Sequence, residues 1–81
     1  MDLKNCFRDW VGREIVIYSG SIKYRGILEE VLDDDFLILA SVAVINQALK
    51  EAVEYEECVL NVNNISGIAF EERVGRGEEL T

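Results

Sequence analysis

Histidine and proline are absent from this chain of 81 residues, cysteine occurs only at Cys6 and Cys58, and 8 basic residues stand against 16 acidic ones. Each shortage closes a class of function. Without histidine, general-base chemistry near neutral pH falls to a carboxylate, Lys, Tyr or Cys, and Cys6 has no imidazole to activate it. Two separated cysteines, rather than a CxxC pair, cannot assemble the usual four zinc ligands within one chain. They read as free thiols of a reducing cytosol in preference to a Cys6–Cys58 disulfide. The formal net charge of −8 argues against nonspecific wrapping of a phosphate backbone, since that affinity comes from Lys and Arg displacing counterions. Between Gly12 and Phe70 the basic residues are Arg13, Lys23, Arg25 and Lys50. The uncharged stretch Phe36–Leu49 falls short of the ~20 residues a membrane span needs. The opening MDLKNCFRDW lacks the basic and apolar regions of a signal peptide. The expectation is a soluble cytoplasmic protein with no membrane, metal or cofactor.

The length allows one domain. A chain of this size buries only roughly 60–65% of the surface its unfolded form exposes, so its core is marginal. With disulfide and metal set aside, oligomerisation is the remaining route to stability.

Apolar residues Leu3, Cys6, Phe7 and Trp10 recur at helical spacing, Asp2 can cap them, and Gly12 punctuates the end, predicting a helix over about 2–11. The period then changes to two. Strands are expected at about 14–18, 22–32, 36–45, 52–62 and 65–70, with turns at Ser19-Gly20-Ser21, Asp33-Asp34-Asp35 and Asn63-Asn64. In the second strand Ile22, Tyr24, Gly26 and Leu28 share one face, opposite Lys23, Arg25, Ile27 and Glu29. Gly26 inside that strand marks a sharp bend or close backbone approach. The run Phe36–Ile45 (FLILASVAVI) carries no charge, which predicts burial on both faces, one on the core and one against another subunit. Residues 42–56 also fit a partly helical face, so strand hairpin and helix stay open there. Glu54 and Glu56 share a strand face with Cys58, Leu60 and Val62, a change of polarity that implies a bulge or a half-exposed strand. Residues 71–81 are charged and poor in apolar side chains, as in a disordered acidic tail. The fold class is all-β: a short helix, then a strongly bent, five-stranded antiparallel SH3-like barrel over residues 1–70.

No catalytic constellation emerges. Glu29-Glu30 and Glu56-Glu57 are adjacent on strands and point to opposite faces. Asp33–Asp35 lacks the alternation of a calcium loop and reads as a solvated turn. Gly75 and Gly77 lie in the tail and form no phosphate loop. The protein is expected not to be an enzyme.

Two short motifs carry a resemblance to a family. Gly26, Leu28, Leu37 and Leu39 fall without a gap on Gly-x-Leu, Asp, Asn-Leu-x-Leu, and Leu60-Asn61-Val62-Asn63-Asn64-Ile65 meets Ile-Arg-Gly-Asn-x-Ile. Gly12, Ile15, Ile17, Gly20 and Tyr24 follow the rhythm of its first two strands. Over about Leu3–Phe70 the chain resembles the Sm-like superfamily of ring-forming small barrels, which includes the Sm, LSm and Hfq proteins. The departures fall on the uridine pocket: Leu32, Phe36, Asn61 and Val62 stand where the family carries Asp, Asn, Arg and Gly. The resemblance implies a homo-oligomeric ring of more than two copies, joined fourth strand to fifth, with Val59, Leu60, Val62, Ile65, Ile68 and Phe70 at the junction. A scaffold or binding platform for an unknown ligand, RNA or protein, is the leading expectation. An RNA-binding ring using Lys23, Tyr24, Arg25, Phe36, Asn61 and Asn63 is the alternative, because basic and aromatic side chains together suit a single strand. In that pattern Phe36 is expected in the core, and Tyr24 likewise, with Lys23 and Arg25 on the solvated face. A monomeric SH3-like adaptor gripping a peptide through Trp10 and Tyr18 is the third reading, although Trp10 more simply pins the helix to the barrel.

Overall fold

Only a sharply curved sheet lets so short a chain enclose a core, and a computed structural model, which describes residues 3–70, shows where the curvature arises. Helix α1 (Leu3–Asp9) precedes β1 (Glu14–Ser19), β2 (Ile22–Leu32), β3 (Phe36–Asn46), β4 (Glu51–Asn61), a 3-10 turn (Val62–Asn64) and β5 (Gly67–Phe70). The strands form one antiparallel sheet in the order β4-β3-β2-β1-β5. This is the five-stranded, helix-capped architecture of the Sm-like fold. Residues 42–56, left open between strand and helix, form strands around a four-residue turn at 47–50. The segment over Asn63-Asn64 is a 3-10 turn, so β5 begins at Gly67 and is shorter than expected. Asp2 and the tail 71–81, read as a cap and as disordered, lie outside the described residues.

Two irregularities bend the β2–β3 ladder. Its register shifts between Arg25 and Ile27 and again between Leu28 and Glu30. At the first, Ser41 adopts φ 54°, a left-handed conformation uncommon outside glycine, and gives β3 an extra residue. Buried Gly26 lies against this point: a Cβ there would meet the Ala40 carbonyl oxygen at 3.0 Å and a Val42 methyl at 3.2 Å. At the second, Glu29 is the extra residue, so Val31 rather than Glu30 turns inward. Such bulges increase twist and re-aim side chains.

Phe7, Ile15, Ile17, Leu28, Leu37, Leu39 and Val42 are buried, and Val31 and Val62 close the same cluster. In one copy of the chain, the two faces of Phe36–Ile45 differ in burial. Leu37, Leu39 and Val42 are buried, whereas Ile38, Ala40 and Ala43 are half-buried and Phe36 is 39% exposed. The uncharged outer face is therefore partly open in one copy of the chain.

The turns follow their side chains. Asp33 and Asp34 take φ 49° and 61°, and the Asp35 N–H donates to the Leu32 carbonyl at 3.0 Å. Consecutive left-handed residues make a tight hairpin turn, a conformation Asp tolerates better than most. Arg8 of α1 reaches this turn, its Nε donating to Asp34 Oδ1 at 3.0 Å and its terminal nitrogen pairing with the same oxygen. Trp10 packs edge-on against Phe7 (5.3 Å) and Phe70 (4.9 Å), while Gly12 N–H to Leu28 O and Leu28 N–H to Arg13 O tie the helix linker to β2.

Gly26→Ala forces the Ala40 backbone away and is expected to cost about 1–3 kcal/mol, the range for overpacking a tight site. Chemical denaturation against the parent chain checks it. Ser41→Gly, which relieves left-handed strain, should not destabilise comparably.

Candidate assembly edges and ligand-binding positions

Opening the sheet between β4 and β5 leaves each with one unpaired edge. On β4 the inward side chains change partway. Leu60 pairs with Leu37 and Cys58 with Leu39, but beyond the unpaired Ser41 and Glu56 the inward pairs become Val42 with Tyr55 and Val44 with Val53. The kink in β3 is thus transmitted to β4 and accounts for the change of polarity read along that strand. Val53 and Tyr55, each 51% exposed, extend the apolar face beyond the core, with Glu54 on the opposite side. A groove of about 550 Å³ runs here between Ser41, Val42, Glu54, Tyr55 and Glu56.

On β5, Ile68 pairs with Ile17 and Phe70 with Ile15, so both face inward, yet they remain half-buried. A second groove, about 350 Å³, is lined by Trp10, Ile65, Ser66, Gly67, Ile68 and Phe70. The Arg13 guanidinium covers the Phe70 ring at 4.5 Å. Of the six residues expected at a junction, Val59 is 58% exposed on β4, and Ile65, Ile68 and Phe70 border the β5 groove. Leu60 packs partly on the core. Val62 does not belong with them: it is buried in the core, its N–H donating to the Asp35 carbonyl at 2.8 Å. That turn-to-turn bond draws Val62 inward.

The six residues considered for nucleic acid divide into two groups. Phe36 is cross-strand neighbour to both Leu32 and Asn61, and the Asn61 side chain accepts from the Asn63 N–H at 2.8 Å. Phe36, Asn61 and Asn63 therefore meet where the β2–β3 turn touches the 3-10 turn. Phe36 is not the core residue expected; it and Leu32 are exposed by 39% and 38%. Lys23, Tyr24 and Arg25 lie at the other end of the hairpin, paired with Ile45, Val44 and Ala43. Tyr24 packs on the core, with Lys23 and Arg25 on the opposite face. Trp10, a candidate for gripping a peptide, is engaged by Phe7 and Phe70, and Tyr18 lies against Gly67. Among the described residues no group of acidic or sulfur side chains is placed to hold a metal ion, and no helix is long and apolar enough to cross a membrane.

No family model matches the chain, and no curated protein matches its sequence. Solved structures do match in shape, and they place the chain in the Sm-like fold. A Pyrococcus abyssii Sm protein in complex with a uridine heptamer superposes at TM-score 0.70 and 16% identity, over 88% of this chain and all of that one. A heptameric archaeal Sm protein gives TM-score 0.67 and 19% identity, over 84% and 98% of the two chains. A chain from the NatC complex bound to CoA is similar over the full length of both chains, at 17% identity and TM-score 0.67.

Cys58, inward on β4, has its thiol pKa pushed up by burial; neither it nor Cys6 is in a disulfide. Less thiolate means slower alkylation. Because the folded pKa is raised, the thiol's contribution to stability is complete below the unfolded thiol's pKa and is lost as pH rises through the folded value. In a Cys6→Ser background, iodoacetamide at pH 8 should modify Cys58 more slowly in the folded chain than in urea. Equal rates would mean that the thiol is not protected.

Proposed function

We propose that this chain is a non-catalytic Sm-like protein that closes into a homo-oligomeric ring of more than two copies and serves as a binding platform. One observation carries the reading: the two unpaired strand edges, β4 and β5, lie at opposite ends of one sheet, each beside partly exposed apolar side chains. Setting β5 of one copy against β4 of the next continues the ladder and covers Val59, Ile65, Ile68 and Phe70.

Charge supports the same direction of assembly. Gly67–Phe70 (GIAF) has no charged residue, while β4 carries Glu51, Glu54, Glu56 and Glu57. Pairing β4 with another β4 sets glutamates beside glutamates, which costs free energy in cross-strand positions; pairing it with β5 does not. A repeated head-to-tail contact closes into a ring when its rotation allows. The heptameric assembly of a similar archaeal Sm protein supports closure here, and the likeness to a chain of the NatC complex supports a platform role alongside other subunits. Cysteines outside any disulfide fit a reducing compartment, hence the cytoplasm.

RNA binding is the second reading, favoured by the meeting of an exposed Phe36 with Asn61 and Asn63 and by the uridine heptamer bound to the Pyrococcus protein. It ranks below the platform because Leu32, Phe36 and Val62 give phosphate no charge to meet.

Native mass in reducing buffer tests the ring. A closed multiple of the 9.2 kDa chain, above a dimer, is expected, and Val59→Asp should shift it to smaller species with circular dichroism unchanged. A monomer at high concentration would overturn the assembly. For RNA, a labelled U-rich oligonucleotide at low salt should show at most weak binding; tight, salt-sensitive binding lost in Phe36→Ala would promote the second reading.

A further inference from the structure

We propose that the turn-proximal half of β4, Glu51–Glu56, is a docking edge for an extended peptide that alternates apolar and basic residues. The inference goes beyond ring assembly and stands with or without it. β4 has 11 residues and β5 has 4, so even a neighbour's β5 paired in full covers less than half of the β4 edge. A contact through Val59 leaves Glu51–Glu56 with unpaired backbone donors and acceptors, the template for strand addition.

Side chains along this half fit one kind of strand. Val53 and Tyr55 lie on its inner face, each 51% exposed, and Tyr55 borders the 550 Å³ groove with Val42 at the kink. Glu54 and Glu56 rim that groove from the opposite face of the strand. An added strand presents side chains alternately to the two faces. Its apolar residues would continue the Val53–Tyr55 row, and its basic residues would meet Glu54 and Glu56 on the other face. Glutamates alone would serve to keep an edge from aggregating, but half-exposed Val and Tyr on the same edge work against that purpose. Carboxylates repel phosphate, so nucleic acid is not the occupant. They also oppose a second β4, so self-pairing is not either.

The test uses the full chain and a fluorescein-labelled octapeptide of alternating valine and lysine, read by anisotropy. Saturable binding is expected, with none for the valine–glutamate counterpart. Two further peptides are N-methylated at one or the other set of alternate residues. Only one set faces the β4 backbone in strand pairing, so one should lose binding and the other keep it. The exposed double change E54K/E56K should weaken the parent peptide by about tenfold or more, as loss and reversal of close charges does. Overturning results are absence of binding by the parent peptide, equal binding of both N-methylated peptides, or no effect of E54K/E56K. Native mass of the same samples separates the two ideas. A monomer that binds the peptide leaves this proposal standing without the ring, and a ring that ignores the peptide does the reverse.

Discussion

The close approach of Gly26 to the β3 backbone is the constraint on which this fold rests. At the first of the two bends β2 lacks a side chain and β3 gains a residue, Gly26 and Ser41 meeting at one crossing. The bend lets β2 and β3 line the core with Leu28 and Leu39 on one side of the kink and Val42 on the other. It also governs β4, which has no register shift against β3 and so inherits the kink through its pairing. Tyr55 and Val53 owe their inward aim to the extra residue at Ser41 in the neighbouring strand.

Bending without closing has a cost, which is two edges. The linker bonds from Gly12 and Arg13 to Leu28 and the packing of Trp10 on Phe70 fix α1 beside β5, so the helix shapes one edge and leaves the other bare. The edges differ in length and in charge, and this asymmetry has physical content. Two long acidic edges set side by side would repel, whereas a short neutral edge beside a long acidic one would not.

Much of this was legible in the sequence because it is local. Period-two faces from Ile22 to Leu28, the turn residues at Gly20 and Asp33–Asp34, and the bend at Gly26 each depend on a few neighbouring residues. The change of polarity between Cys58 and Tyr55 was visible too, but its cause was not. It arises at Ser41, a non-glycine in a left-handed conformation, and nothing in its neighbours marks it. The inward turn of Val31 was hidden for the same reason, since a register shift belongs to a pair of strands. At the candidate site, motif spacing was sufficient to bring Phe36, Asn61 and Asn63 together. It could not set Lys23, Tyr24 and Arg25 beside them, because extended strands carry residues apart at about 3.3 Å each.

The burial of Val62 and the exposure of Phe36 bear jointly on what this surface can hold. Val62 is drawn inward by its hydrogen bond to the Asp35 carbonyl, and the two turns close on each other there. Phe36, across from Asn61, is left at the rim. With three aspartates in the adjacent turn, one of them held by Arg8, the rim offers an aromatic face amid negative charge. A base could stack on Phe36, but its phosphate would enter the field of the aspartates, where the cation at hand, Arg8, is already engaged by Asp34. At this rim, apolar contact with Phe36 is favoured and the approach of a polyanion penalised.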